Sequence, residues 1–399
     1  MTNNDPESPK PRVVIAGGGI AAIEAMLALR DLLSDQVEID LCAPRAEFVY
    51  RPFAVGEPFG VSEVLRFDLG ELAALRDARF VPSSVVEVDS DAGLVRLRDG
   101  DELAYDRLVI ACGTKSLLGV EGAATFWGVS DEPGVAEVIG DLETGAAESA
   151  VFTMPAGFGW PLPLYELALL TRERLRNLGR DRVRLTVVTP EAAPLGVFGV
   201  GASEGLARLL AEREIEVVAA ARPVKYAGGR LQVVPGEEIE ADAVISMPQL
   251  EGRRIRGVPC DQDGFVPVDP HGRIVDLEAV YAAGDITTFP LKQGGLAAQQ
   301  ADCVAQLIAR DLGAVIEATP FKPVLRGVLM TGGKPRYLSG ELTGGHGETS
   351  VLTDHMLWWP PGKVVGKYIT PFLAALSGSA LQPPGPTGID SVEIELNDS

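Results

Sequence analysis

The chain has 399 residues, 46% of them hydrophobic and 23% charged, the balance of a folded protein with room for two or three domains. Its 35 Lys+Arg against 56 Asp+Glu leave a formal net charge of −21, which argues against nucleic acid as a partner, since a phosphate backbone needs a basic face. No stretch approaches a transmembrane span, and Met1 to Arg12 is polar and Pro-containing rather than apolar, so the expectation is a cytoplasmic protein.

In chain order, the first element is an apolar strand leading into Gly17-Gly18-Gly19 and then a helix, whose periodicity continues from Ala25 to Leu33. This is a G-x-G-x-x-A dinucleotide cradle. Gly17 serves the sharp turn, Gly19 the approach of backbone to a pyrophosphate, and Ala22 the close packing of helix on strand. A second apolar strand, Val37 to Cys42, follows. The acid that normally meets the adenosine ribose at its end is absent, because that position holds Ala43. Arg45 and Glu47 are read in two ways, as substitutes that reach the ribose or as solvated loop charges.

Arg51 to Gly60, rich in Pro, Gly and aromatic residues, has the character of a loop laid along a ligand. Glu63 to Leu75 has helical spacing, Arg79 to Val88 reads as one strand, and Gly93 to Leu97 with Glu102 to Tyr105 reads as a hairpin about Asp99-Gly100. The apolar strand within Ala104 to Thr114 ends in small residues that permit a ligand across the strand end.

Glu148 to Asp269 repeats the strand and helix plan with Ser149 to Thr153, Pro163 to Leu178, Val183 to Thr189, Gly201 to Arg213 and Ala243 to Met247. A second nucleotide-type domain inserted into the first is expected. Its turn, Met154 to Glu166, carries three prolines, and Trp160 and Pro161 obstruct or reroute a pyrophosphate at the helix start. The first domain resumes with a strand ending at Ala283-Gly284-Asp285, and Leu291 to Leu312 forms a long helix. Asp285 reads as a ligand acceptor or, alternatively, as a turn cap. Beyond Thr319 come strands Val324 to Met330 and Pro335 to Leu342, then Trp358-Trp359 and an apolar helix candidate, Val364 to Leu376.

The four cysteines, Cys42, Cys112, Cys260 and Cys303, form no C-x-x-C pair, and His271, His346 and His355 have no ligand spacing, so no metal site is expected.

Together the Gly17-Gly18-Gly19 cradle, the strand Tyr105-Asp106-Arg107-Leu108-Val109-Ile110-Ala111-Cys112-Gly113-Thr114 and the Ala283-Gly284-Asp285 motif resemble the flavoproteins with two dinucleotide-binding domains. The branch is that of sulfide:quinone oxidoreductases, flavocytochrome c sulfide dehydrogenases and type II NADH dehydrogenases. The likeness covers about residues 12 to 380 and implies an α/β fold of two Rossmann-like domains with a C-terminal α+β segment. The implied boundaries are 12–118 with 270–318 for the FAD domain, 119–269 for the second, NAD(P)-like domain and 319–381 for the C-terminal segment, with 1–11 and 382–399 expected to be disordered.

The resemblance implies FAD, with Gly17, Gly19, Ala22, Ala111, Gly113, Gly284, Asp285, Lys292 and Gly294 at matching positions; Arg45, Arg51, Val86, Cys112 and Leu296 join them as candidate contacts. Lys292 is the expected stabiliser of a reduced ring, and Glu166 and Tyr165 are the candidate proton handlers. Trp160-Pro161-Leu162-Pro163-Leu164-Tyr165-Glu166 resembles the pattern Cys-Pro-x-x-Pro-Tyr-Glu of the sulfide oxidisers with Trp160 in place of the redox cysteine, and the second cysteine expected between Val324 and Leu338 is also absent. The implied function is FAD-dependent electron transfer from a small donor to a quinone or similar acceptor, without thiol chemistry. The alternatives are an NAD(P)H dehydrogenase of the same fold, for which the second cradle is degenerate, and a flavin-binding partner protein that does not turn over. Residues 356–376, with Trp358, Trp359, Phe372, Lys363 and Lys367, are read as a peripheral membrane contact, a dimer contact or a cover over the flavin.

Overall fold

The computed structural model describes residues 9–128, 133–157, 159–343 and 346–383. The expectations of disorder for 1–8 and 384–399 and the turn residue Phe158 lie outside the described residues, as does the side chain of His346.

Two five-stranded parallel sheets organise the chain. The first has the order Val280–Ala282, Arg107–Ile110, Arg12–Ala16, Glu38–Cys42, Arg79–Val81. Its strands read as continuous apolar runs because both faces are covered. Val13 and Ile15 pack toward the helices, whereas Val14 and Ala16 pack against Val88, Val95 and Leu97 of the antiparallel three-stranded insertion. The register pairs Ala16 with both Cys42 and Ile110, and Ile110 with Ala282. The next residues, Gly17, Ala43, Ala111 and Ala283, therefore lie side by side along one sheet edge, and all are small. Helices Ile20–Leu33 and Gly294–Asp311 leave this edge and pack against each other. The first is apolar nearly all round because it is almost entirely buried.

The second sheet has the order Ala124–Thr125, Ala243–Ser246, Ser149–Thr153, Arg184–Val188, Ile215–Val218, and helix Leu162–Asn177 follows its central strand. A C-terminal antiparallel sheet of Val324–Leu329, Arg336–Thr343 and His346–Thr353 leads to helix Ile369–Ser377.

Three local expectations are corrected. Arg79 to Val88 is two strands in different sheets, Arg79–Val81 and Val85–Asp89, separated at Pro82-Ser83-Ser84. Glu63 to Leu75 is a strand, Leu65–Asp68, and a short helix, Leu69–Ala74, whose start is capped by Asp68 accepting from the Glu71 N–H at 2.9 Å. The C-terminal helix begins only at Ile369, because the preceding strap is irregular and is tied by hydrogen bonds to the body of the protein.

Candidate active site

The turn after Arg12–Ala16 has the geometry of a phosphate cradle. Gly17 sits at φ +151°, and a Cβ there would meet the Ala111 carbonyl oxygen at 2.1 Å. Gly19 is the opposite case, since a Cβ on it would meet nothing within 4 Å. It caps helix Ile20–Leu33 with no side-chain cap, so the first N–H groups face open space, an arrangement suited to an anion. Ala22 is fully buried behind them.

This space belongs to a cavity of about 640 Å³ that runs across both domains. One end is formed by Gly18, Gly19, Ala43, Arg45, Glu47 and Arg51, and the wall continues through Ala111, Cys112, Gly113 and Thr114 to Arg253, Gly284, Asp285 and Lys292. The far end is formed by Trp160, Leu162, Pro163, Glu166, Gly294, Gly327 and Lys363. Burial and the like charges of Arg45 and Arg253 push the Arg51 guanidinium below its ordinary range, the expected response of cations gathered where an anion belongs. Burial raises the Asp285 carboxyl, with Lys292 and Arg51 opposing. In an acidic chain, the grouping of Arg45, Arg51 and Arg253 at one cavity concentrates positive charge where the cradle opens.

Lys292 lines the cavity, and its Nζ donates to the carbonyls of Thr287 at 2.5 Å and Phe289 at 2.7 Å while lying 4.0 Å from the Phe265 ring centre. Burial lowers its ammonium to about 8, with Asp285 opposing the shift. Its backbone N–H donates to the Gly159 carbonyl, which joins this loop to the rebuilt second turn. Glu166 is buried and receives the Lys363 ammonium at 2.7 and 2.8 Å on its two oxygens and the Met330 N–H at 2.8 Å. Burial raises the carboxyl and Lys363 opposes it, while burial lowers Lys363.

Not every expected residue reaches the cavity. Tyr165 is buried outside it and donates at 2.5 Å to Glu191, whose carboxyl burial pushes up to about 7. Val86 sits at a bulge in the antiparallel insertion, where its carbonyl accepts from the Arg256 N–H, and the Leu296 N–H is taken by the Gln293 side chain. Gly17 and Ala22 shape the cradle from behind rather than line it. Trp358 is not a cover for the cavity, since it packs edge-on against Tyr337 at 5.5 Å and donates to the Gly362 carbonyl, and Phe372 lies beneath the Arg76 guanidinium. Lys363, expected with Trp358 and Trp359 at a membrane or dimer contact, is buried in the site. Its neighbours in sequence, Trp358-Trp359 and Lys367, gave it the look of an interfacial cation, and only the strap's path reveals its partner. Arg253 was not singled out at all, because no local motif marks it.

The second turn does not repeat the cradle. Pro161 occupies the cap of helix Leu162–Asn177 and Pro163 follows in its first turn, removing an N–H where a phosphate needs donors, and Trp160 packs at 5.6 Å on Phe198. Glu191, just beyond the neighbouring strand, is spent on Tyr165 and Thr189.

A parallel sheet with a glycine cradle, a second sheet of the same plan and one shared cavity define the class of two-domain nucleotide-dependent oxidoreductases. Residues 11–146 match the family model described as pyridine nucleotide-disulphide oxidoreductase, and the chain is similar to FAD-dependent oxidoreductases of that kind. It is 26% identical over 336 residues to a sulfide-quinone reductase of Aquifex aeolicus, spanning 75% of this chain and 76% of that protein. The solved sulfide:quinone oxidoreductase of that bacterium superposes with a TM-score of 0.79 at 21% identity, over 96% of this chain and 100% of that one. The NDH2 of Plasmodium falciparum, solved with NADH, gives a TM-score of 0.66 at 12% identity over 94% and 95% of the chains.

Proteins of the matched family bind FAD, and the residues present here fit it. The open Gly19 cradle and uncapped helix start suit a pyrophosphate, Asp285 a ribityl hydroxyl, and Lys292 the electron-rich end of an isoalloxazine. Bound there, FAD would supply two-electron redox chemistry that no side chain carries. Burial pushes Cys42 up to about 12 and Cys112 and Cys303 up to about 11, away from the reactive thiolate.

Proposed function

We propose that the protein is an FAD-dependent oxidoreductase that passes electrons from a small donor to a quinone, using no cysteine. The observation that carries this reading is the continuity of one cavity from the Gly19 cradle, past Lys292, to the buried Glu166–Lys363 pair. Reducing a quinone to a quinol takes two electrons and two protons. A buried carboxylate whose charge is balanced by a lysine can hold and release a proton beside an otherwise apolar wall of Leu162, Gly327 and Val364. The named activities of the Aquifex relative support the acceptor.

The donor is where this chain parts from its relatives. Trp160 replaces the expected thiol, and the second turn lacks the donors that a nicotinamide dinucleotide needs. Among the described residues no helix is long and apolar enough to cross a membrane. Met356, Leu357 and Trp359 are exposed, the last at 76%, which supports contact of this segment with a membrane face or a second copy.

Anaerobic mixing of the flavin-loaded protein with NADH, NADPH and sulfide in turn, read by flavin absorbance, tests the donor assignment. Little bleaching by any of the three, with full reoxidation of the chemically reduced protein by a quinone, is expected. Rapid bleaching by NADH would assign the chain to NAD(P)H dehydrogenation instead.

A further inference from the structure

We infer that Glu24 and Asp302 form a hydrogen-bonded acid pair that clamps the C-terminal strap, and so positions Lys363 in the cavity. The inference rests on the functional reading above only for what Lys363 does once placed. Residues 360–368 run from the C-terminal sheet to the last helix, and Lys363 and Val364 among them line the cavity. Lys363 reaches Glu166, and the Val364 N–H donates to the Tyr50 hydroxyl at 3.1 Å. The strap is fixed at its other end by Glu24, a fully buried carboxylate on the first helix. Its Oε1 accepts from the Tyr368 N–H at 2.9 Å and its Oε2 from the Ile369 N–H at 2.5 Å. A carboxylate at the start of helix Ile369–Ser377 serves as its missing cap, because Tyr368 makes no side-chain cap of its own. Gly366 permits the approach, since a Cβ there would meet Ile369 at 2.5 Å and Glu24 Oε2 at 2.9 Å.

Asp302 faces Glu24 from helix Gly294–Asp311. Its Oδ1 is buried without a partner, and the two carboxyl groups lie close enough to influence one another's titration. Burial, then the Glu24 charge, push the Asp302 carboxyl up to about 8, with Lys367 opposing. Burial also raises Glu24, against the strap's N–H donors. The remaining groups around the pair are Lys367 and Tyr368 on the strap, Asp31 on the first helix, which accepts from the Tyr368 hydroxyl, and Cys303 beside Asp302.

The sign follows from proton linkage. Asp302 binds its proton more tightly with the strap docked than released, so docking is favoured most at low pH. That advantage falls as pH rises from the ordinary carboxylate range to about 8, and is spent above it. Once both acids are charged, Glu24 and Asp302 repel each other directly beneath the strap.

Hydrogen exchange of residues 360–370 in the full-length, flavin-loaded protein, corrected for intrinsic rates across pH, tests the clamp. For the wild type, protection should fall with pH by up to about tenfold per unit for one linked proton. Asp302→Asn keeps a donor toward Glu24 without a charge to lose, and should flatten the profile while leaving the strap protected. Glu24→Gln turns an N–H toward the strap's own N–H groups, and should lower protection at every pH. It should also lower kcat for quinone reduction more than it raises KM. A flat wild-type profile, or an Asp302→Asn profile that still falls like the wild type, overturns the clamp. Because exchange needs no turnover, a protein that shows the pH-linked strap but no quinone reduction would refute the function and leave the clamp standing.

Discussion

Lys363 lies 2.7 Å from Glu166 Oε1, and the two are buried together although 197 positions separate them in the chain. The pair ties the C-terminal segment to the helix that follows the second sheet's central strand. Each charge is tolerated only because of the other. Lys363→Met should strand the Glu166 carboxylate and cost about 3–5 kcal/mol of stability, the usual consequence of removing one member of a buried pair. Glu166→Gln combined with Lys363→Met should recover most of that loss but not quinone reduction. Thermal unfolding and steady-state turnover, measured on the same preparations, separate the two effects.

Gly17 and Gly19 should respond differently to the same change. Gly17→Ala puts a methyl group into the Ala111 carbonyl and should lower the melting temperature of the protein itself. Gly19→Ala meets no protein atom, so the fold should survive, while the methyl group enters the space where a pyrophosphate approaches. A loss of about 1.4 kcal/mol or more, at least about tenfold in FAD affinity, is expected. Flavin titration into the apoprotein with calorimetry in parallel gives both numbers.

How much of this was legible in the sequence follows from where each signal resides. The cradle, the small strand ends and Asp285 are local patterns, and the register of the first sheet brings them together as their spacing implied. The second turn was also legible as altered, since proline and tryptophan at a helix start change the backbone's donors directly. Lys363, Arg253 and the Glu24–Asp302 contact depend on chain crossings between distant segments. Tyr165 was misplaced for a related reason: its neighbour Glu166 faces the cavity, but a helix sends successive side chains in different directions, and Tyr165 turns to Glu191.

The ammonium of Lys292, lowered by burial to about 8, predicts an alkaline limb in turnover. Below that pH the cavity holds the positive charge; above it, the charge is lost. In linkage terms the released chain binds this proton more tightly than the folded one between about 8 and the ordinary lysine range, so stability contributed by Lys292 rises with pH there. Lys292→Met should abolish the limb and lower turnover at neutral pH. A pH–rate profile of both proteins checks the assignment.

Replacement of all four cysteines should leave electron transfer to quinone in place, because the buried thiols at Cys42, Cys112 and Cys303 are held away from ionisation. Turnover of the Cys-free protein, alongside its flavin content, tests this directly.

The central claim is most directly tested by anaerobic stopped-flow reoxidation of the dithionite-reduced, flavin-loaded protein by a short-chain ubiquinone, followed by flavin absorbance. The account predicts complete two-electron reoxidation by one equivalent of quinone, slowed severely in Glu166→Gln and retained in the Cys-free protein. A protein that takes up no FAD, or whose reduced flavin is inert toward the quinone, would contradict it.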